Sequence, residues 1–126
     1  IALATREGPG AQRLDEPAYR HFIGRIFNML VRLVALPGLH DSQCGFKCFS
    51  AAAAEKVFPL QRITGWTFDV EVLFIARRMG FTVAEVPITW QYHPHSKVRF
   101  VRDSIHMGLD LLRIRLNALF GRYGAR

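Results

Sequence analysis

The sequence is poor in cysteine and lysine, and it has no long uninterrupted apolar run. Crossing a bilayer takes ~20 apolar residues in a row, and no segment approaches that length. Its two cysteines, Cys44 and Cys48, are four positions apart, and no second pair completes a zinc site. A disulfide over so short a span needs special geometry, so we expect two reduced thiols in a cytosolic setting.

Arginine, by contrast, is abundant: 14 arginines and three lysines give the chain a net charge of +7. Arginine pairs bidentately with phosphate, which predicts anionic partners. No RNA-binding aromatic motif, zinc pattern or helix-turn-helix signature is present. Because the positive charge coincides with an amphipathic C-terminus, lipid phosphate and an anionic membrane surface fit better than nucleic acid. A non-catalytic basic module that binds anionic membrane or nucleic acid is the alternative of a different class.

Apolar periodicity and turn residues predict alternating strands and helices, which is typical of an α/β fold. The predicted strands cover residues 1–5, 46–49 and 82–90, and the predicted helices cover residues 18–36, 51–57, 68–79 and 103–120. We expect Ser50 and Thr67 to cap the second and third helices. Pro87 indicates a sheet edge or a bulge. A Gly/Pro-rich loop is predicted over residues 7–10, and a polar stretch follows it to about Pro17.

Two of these helices carry an apolar stripe at helical spacing. The stripe of the first helix consists of Phe22, Ile26, Met29, Leu30 and Leu33. For it, packing in the core is favoured over a membrane-proximal position. The stripe of the last helix consists of Ile105, Leu109, Leu112, Leu116 and Leu119. A core helix would show the same pattern, but seven basic against two acidic residues from residue 97 onward favour an interfacial membrane helix.

The most informative segment runs from Asp41 to Lys47, with the sequence Asp-Ser-Gln-Cys-Gly-Phe-Lys. It is too polar for a core strand and too short for a helix, which predicts a shaped loop. Gly45 allows a backbone turn or the close approach of a ligand. The alternative is an ordinary surface turn that begins with an aspartate, and Lys47 is expected to be solvated.

Extended to Phe49, this segment resembles the D-x-Q-C-G-F-K-x-F signature of family 2 glycosyltransferases that load a sugar onto a polyprenyl phosphate. The dolichyl-phosphate β-glucosyltransferase type is the most similar. Three further motifs follow in the family's order: residues 66–71 resemble W-x-F-D-x-E, residues 85–90 resemble E-V-P-x-x-W, and Ser96-Lys97 stands where the family has G-S-K. The likeness runs from about residue 2 to about residue 115.

The resemblance implies the C-terminal half of a GT-A-like (nucleotide-diphospho-sugar transferase) α/β domain with a mixed sheet over residues 1–100. A basic amphipathic helix, membrane-proximal, would follow over residues 101–126. The implied activity is inverting transfer of a hexose, most simply glucose from UDP-glucose, onto a polyprenyl or dolichyl phosphate. It would occur at the cytosolic face of a bacterial or archaeal plasma membrane or of the endoplasmic reticulum. A mannosyltransferase that uses GDP-mannose is the alternative within the class.

The resemblance also implies a divalent metal, Mg or Mn, that neutralises the donor diphosphate. The family's Asp-x-Asp metal motif does not occur in this sequence. We therefore expect the main metal ligands in a missing N-terminal half and no metal ligands here. Such a fragment would be inactive alone.

By resemblance, Asp41 falls at the family's acceptor-side aspartate, where a carboxylate positions a metal or the sugar, or balances developing oxocarbenium charge. Gln43, Cys44 and Gly45 would then line the loop beside the sugar. Asp69 and Glu71 fall in the element that the family places near the acceptor pocket, where related enzymes carry an acidic base. Acids are also favoured at a helix N-terminus by the dipole alone.

Arg6 and Arg20 resemble two arginines that hold the lipid phosphate in the mannosyltransferase branch. The family's serine one turn after the second arginine is Gly24 here. Solvated arginines on a basic chain are the alternative.

Ser96, Lys97 and Arg99 form a basic loop suited to the leaving diphosphate. His95 replaces the glycine that the family has before this serine and lysine. His93, His95 and Asp103 match no strong metal-site spacing, so we expect surface histidines.

Overall fold

The structure is a computed structural model that describes residues 1–94 and 100–124, without the side chains of residues 100 and 101. Its strands are β1 (Ala2–Thr5), β2 (Gln12–Leu14), β3 (Lys47–Cys48), β4 (Ala84–Pro87) and β5 (Thr89–Gln91). Its helices are α1 (Ala18–Val34), α2 (Ala51–Val57), α3 (Phe68–Arg78) and α4 (Phe100–Leu119), with a short 3₁₀ turn, Phe58–Leu60, after α2. The predicted α/β class is confirmed.

A three-stranded mixed sheet lies at the centre, in the order β3-β1-β4. β1 runs antiparallel to β3 and parallel to β4, with Leu3 opposite Glu85 and Thr5 opposite Pro87. A separate parallel pair joins β2 to β5, with Gln12 opposite Thr89. The mixed sheet predicted from the sequence is confirmed.

The single strand predicted for residues 82–90 is two strands, because the chain changes sheet at Ile88. The N–H of Ile88 donates to Thr5, and its carbonyl accepts from the N–H of Gln12, both at 3.0 Å. Between β1 and β2, which pair with β4 and β5, residues 6–11 loop out opposite this one residue. Pro87 ends β4 at the sheet edge, where a missing N–H is tolerated, so the edge prediction is confirmed. β2 lies in the polar stretch that follows the predicted loop of residues 7–10, where no strand was predicted.

The two predicted helix caps have different outcomes. Ser50 has extended backbone, and its hydroxyl accepts from the N–H of Ala53 at 3.3 Å, which confirms the cap of α2. Thr67 makes no side-chain cap bond, so that prediction is wrong. Its backbone is already in the right-handed helical region (φ −96°, ψ −2°), whereas a capping side chain needs an extended residue.

The core lies around α3, which is buried from Val70 to Ala76. Leu3 of β1 and Val31 of α1 pack into the same cluster, as do Leu111 and Ile114 of α4. Fully burying one such aliphatic side chain stabilises the fold by about 1.5–3 kcal/mol. α4 therefore shares one core with the strands and α3, and its separation as a unit of residues 101–126 stays a prediction.

Both predicted apolar stripes face away from this core. The residues of the α1 stripe are 41–75% exposed, so the core position predicted for them is wrong. The residues of the α4 stripe are 50–81% exposed, while Met107, Leu111 and Ile114 face inward. Contiguous exposed apolar side chains of this kind mark surfaces that bind a partner, a ligand or a membrane. Within the described residues, no helix combines the length and apolar character that crossing a bilayer requires.

Candidate active site

An ion pair between Arg6 and Asp41 joins the end of β1 to the Asp41–Lys47 loop. Arg6 Nε donates to Asp41 Oδ2 at 2.7 Å, Nη2 donates to Oδ1 at 2.8 Å, and the backbone N–H of Arg6 donates to Oδ2 at 2.9 Å. Asp41 is fully buried, whereas 20% of the Arg6 side chain is exposed. Burial alone raises the pKa of Asp41, but the hydrogen bonds and charge of Arg6 outweigh it and hold that pKa below its ordinary value. The contact is therefore a charged, bidentate pair at neutral pH.

Arg6 also lines a concave pocket of about 180 Å³ between α1 and α4. We call this the arginine pocket; it is lined by Arg6, Arg13, Arg20, Glu16, Ile23, Gly24, Phe27, Asn28, Gln43, Ser104 and Met107. Its lining carries three guanidinium groups and the carboxylate of Glu16, and the nearby carboxylates of Asp41 and Glu7 pair with Arg6 and Arg13. The structure thus brings together Arg6, Arg20 and Gln43, which the sequence analysis predicted as parts of the acceptor site.

Aromatic rings hold the arginines of the pocket in place. The guanidinium of Arg6 lies 5.2 Å from the centre of the Trp90 ring, and that of Arg13 lies 5.9 Å from it. Arg20 lies 5.2 Å from the ring centre of Tyr92 and donates to its hydroxyl at 3.2 Å. Such cation–π contacts orient a guanidinium without neutralising it. The rings of Trp90 in β5 and of Tyr92 directly after it therefore hold guanidinium groups that come from the end of β1, from β2 and from α1.

Arg13 belongs to a small ionic cluster of its own. Its two terminal nitrogens donate to Glu7 and Glu16, each at 2.7 Å, and Nε donates to the carbonyl of Arg6 at 3.3 Å. These contacts tie the excursion of residues 6–11 to β2. Arg13 therefore contacts Arg6 through the carbonyl of Arg6, and both guanidinium groups lie near the ring of Trp90.

The far end of the Asp41–Lys47 loop is tied to the start of α3. Gln43 Nε2 donates to the carbonyl of Trp66 at 3.0 Å, and Lys47 Nζ lies 2.7 Å from Asp69 Oδ1 and also donates to the carbonyl of Cys44. Lys47 is buried in this pair, so its predicted solvated position is wrong. Burial raises the pKa of Asp69, and the bond and charge of Lys47 offset that rise only in part.

Glu71 lies on the core side of α3 and is fully buried. Its Oε2 accepts from the N–H groups of Arg62 and Ile63 at 2.9 and 2.7 Å, and its Oε1 accepts from the Tyr123 hydroxyl at 2.5 Å. Burial and this carboxylate raise the pKa of Tyr123 well above its ordinary value. Glu71 thus connects two segments to α3: the loop at residues 62–63, and Tyr123 in the segment that follows α4. It does not line the arginine pocket, and its catalytic role stays a prediction.

The remaining predicted site residues are placed as follows. Cys44 is buried and Cys48 is exposed, and both thiols are free. Gly45 is exposed with open space beside its Cα, so a ligand can approach closely, but its φ is not in the left-handed region. Ser96, Lys97 and Arg99 lie outside the described residues.

The residues that the structure describes contain no group of three His, Cys, Asp or Glu side chains arranged to hold a metal ion. The acidic side chains of the site, Asp41 and Asp69, are each engaged by a cation instead. The divalent metal that the resemblance implies stays a prediction.

Sequence reasoning missed three residues of the site: Arg13, Glu85 and Trp90. Glu85 and Trp90 stand in the E-V-P-x-x-W motif, which was recognised without roles for its members. Arg13 lies seven positions from both Arg6 and Arg20, inside the polar stretch that follows the predicted loop. The one sequence signal for Arg13 was that it stands midway between Arg6 and Arg20.

Comparison with known proteins finds relatives that are similar to this chain in sequence. No protein-family model and no solved structure matches the chain. Similar curated proteins do exist, and the predicted resemblance is confirmed: several are named dolichyl-phosphate β-glucosyltransferases. One such relative, from Trichomonas vaginalis, is 38% identical over 107 residues, which are 85% of this chain and 32% of that protein.

The Saccharomyces cerevisiae relative is 42% identical over 97 residues, or 77% of this chain and 29% of its own length. The Mus musculus relative is 38% identical over 124 residues, or 98% of this chain and 38% of its own length. The chain therefore spans about a third of the length of the curated relatives it matches.

Proposed function

We propose that this chain forms the acceptor side of a family 2 glycosyltransferase with a GT-A-like fold. The enzyme would transfer glucose from UDP-glucose, with inversion, to dolichyl phosphate or another polyprenyl phosphate. The names of the relatives support the reaction class, and the four ordered motifs support the family. The observation that carries the proposal is the arginine pocket, in which Arg6 is oriented by Asp41 beside Arg13, Arg20 and Gln43.

Phosphate recognition is the chemistry that these residues suit best. Asp41 takes up Nε and Nη2 of Arg6, and within the described residues Nη1 of Arg6 has no hydrogen-bond partner. Guanidinium groups at fixed positions bind phosphate oxygens by charge-assisted hydrogen bonds. A lipid phosphate is already anionic at neutral pH, so it can attack the anomeric carbon without a strong general base. As its oxygen bonds to that carbon, the bond to the nucleoside diphosphate breaks and the diphosphate leaves.

Asp41 acts in this scheme as a positioning residue. It is buried behind Arg6 and bonded to it three times, so its negative charge serves to orient the guanidinium. The roles first expected of Asp41, contact with a metal, the sugar or an oxocarbenium ion, would need this pair to open. A divalent Mg or Mn would supply charge neutralisation of the diphosphate when bound, through ligands outside the described residues.

The exposed stripe of α1 is the surface that we assign to the lipid part of the acceptor. A groove of about 600 Å³ runs along the exposed stripe, and its lining combines apolar side chains with cations. Phe22, Ile26 and Met29 supply the apolar part, and Arg25 and Arg32 supply the charge. We propose that α1 and α4 face the cytosolic surface of the membrane, from which the lipid phosphate reaches the arginine pocket.

Transfer of labelled glucose to dolichyl phosphate, by the protein that carries this sequence, tests the proposal. Arg6→Lys and Arg20→Lys keep a positive charge but lose the fork, so each should raise the acceptor KM about tenfold and leave the donor KM unchanged. Arg62→Lys is the matched control, since Arg62 is exposed and does not line the pocket. Equal changes in both KM values would contradict the phosphate role, and faster transfer from GDP-mannose would favour the mannosyl alternative.

A further inference from the structure

Glu85 contacts the first residues of the Asp41–Lys47 loop from β4. Its Oε1 accepts from the N–H of His40 at 2.7 Å and from the N–H of Asp41 at 3.1 Å. Its Oε2 lies 2.7 Å from Nδ1 of His40. The Glu85 side chain is only 16% exposed, whereas that of His40 is 52% exposed. One carboxylate thus satisfies two consecutive backbone donors at the point where the loop begins.

These bonds hold the main chain at Asp41, whereas Arg6 is bonded to the carboxylate of the same residue. The backbone amide of Asp41 is held by Glu85, and the carboxylate of Asp41 holds Arg6 through three bonds. Glu85 in turn stands on a strand paired directly with β1, with Leu3 opposite it. The position of the Arg6 guanidinium therefore depends on a rigid path that starts in the central sheet.

We propose that Glu85 is a positioning residue for binding of the acceptor phosphate: it fixes the main chain at Asp41, and Asp41 orients Arg6 in the arginine pocket. This inference rests on the proposed function and assigns a task to the acidic residue of the E-V-P-x-x-W motif. Glu85 does not line the pocket. Its influence on the acceptor runs through two other side chains, which makes it separable by experiment.

Glutamine at position 85 is expected to preserve the arrangement. Its amide oxygen can accept from both backbone N–H groups, and its amide nitrogen can donate to an unprotonated Nδ1 of His40. Alanine removes all three contacts and leaves two N–H groups without their partner. The loop should therefore shift until these donors find other partners.

The test measures steady-state transfer and direct binding of polyprenyl phosphate in detergent micelles. Glu85→Ala should raise the acceptor KM and the Kd for polyprenyl phosphate about tenfold, with kcat and donor KM changed less than about twofold. Glu85→Gln should restore both values to near wild type. In an Arg6→Lys background, Glu85→Ala should add less than about twofold, because its effect runs through Arg6. Glu55→Ala, which removes an exposed carboxylate of α2, is the matched control.

Three results would overturn the inference: full additivity of Glu85→Ala with Arg6→Lys, equal rises in both KM values, or a Gln variant as weak as the Ala variant. If Glu85→Ala fails to fold, the Gln variant and its double mutant decide the matter. Absence of any sugar transfer or polyprenyl-phosphate binding by the wild-type protein would instead refute the proposed function. Normal wild-type activity with an unaffected Glu85→Ala variant would refute the role of Glu85 alone.

Discussion

Lys47 and Asp69 form an ion pair that is almost closed to solvent, with 2.7 Å between Nζ and Oδ1 and with 6% and 13% of the two side chains exposed. Lys47 ends the loop that begins at Asp41, and Asp69 lies in the first turn of α3. The pair therefore joins two of the four sequence motifs. Its burial separates it from surface ion pairs, which contribute little to stability.

Removing one partner of this pair should destabilise the protein more than removing both. Lys47→Met leaves a buried carboxylate without its cation and should lower the free energy of unfolding by about 3 kcal/mol. The double variant Lys47→Met, Asp69→Leu should recover most of that loss, since a buried pair can be replaced by apolar groups at little cost. The coupling is measured by denaturant unfolding of the wild type, Lys47→Met, Asp69→Leu and the double variant in a double-mutant cycle. Additive losses would show that the two side chains do not interact as the structure has them.

Asp41 should make stability depend on pH in the acidic range. Its pKa is lower in the folded protein than its ordinary value of 3.8. The unfolded chain therefore binds the proton first as pH falls, and the stabilisation is complete above the ordinary pKa. It should be lost progressively below about pH 4, as pH approaches the folded pKa.

The Asp41→Asn variant should lose about 3 kcal/mol at neutral pH and show a flatter pH dependence of unfolding below about pH 4. Its acceptor KM should rise, because Arg6 loses the group that orients it. A fall in kcat on the order of 10²-fold with an unchanged acceptor KM would instead place Asp41 at the reacting sugar. An unchanged slope of stability against pH would contradict the ion pair itself.

The exposed stripes of α1 and α4 should bind anionic membranes. Leu112→Glu and Leu116→Glu place a charge in the apolar face of α4 and should reduce co-sedimentation with anionic vesicles, as should added salt. Ala52→Glu, at an exposed position of α2 outside both stripes, adds the same charge as a control. If another part of the protein covers α4, the leucine variants should instead lose thermal stability while vesicle binding stays the same.

Local sequence signals predicted the helices and most strands well, because those signals act over a few residues. Ser50 and the alanines after it define α2, and Gly80 follows α3 as expected. Helical spacing could not say which side of α1 or α4 meets the core, since both helices are apolar on two sides. Phe22 and Leu112 are therefore exposed, although each fits a core stripe as well as Val31 and Leu111 do.

The candidate site was predictable residue by residue but not contact by contact. The motifs pointed to Arg6 and Asp41 separately, with different tasks, and nothing in the sequence says that they bind each other. Their partnership depends on strand order, which brings residue 41 beside the end of β1. Lys47 was misplaced for the same reason: its partner, Asp69, lies 22 positions away.

The change of sheet at Ile88 has a consequence for the order in which this molecule folds. β1 pairs with β3 and with β4, and β2 pairs with β5, so residues 1–14 depend in part on strands that lie about 80 positions further along the chain. Contacts across such a distance form slowly, after local helices such as α3 are in place. The pocket is thus completed in the last stages of folding, when Trp90 reaches Arg6. A chain stalled before that step would hold its helices and its loop motif but would lack the contact between Trp90 and Arg6.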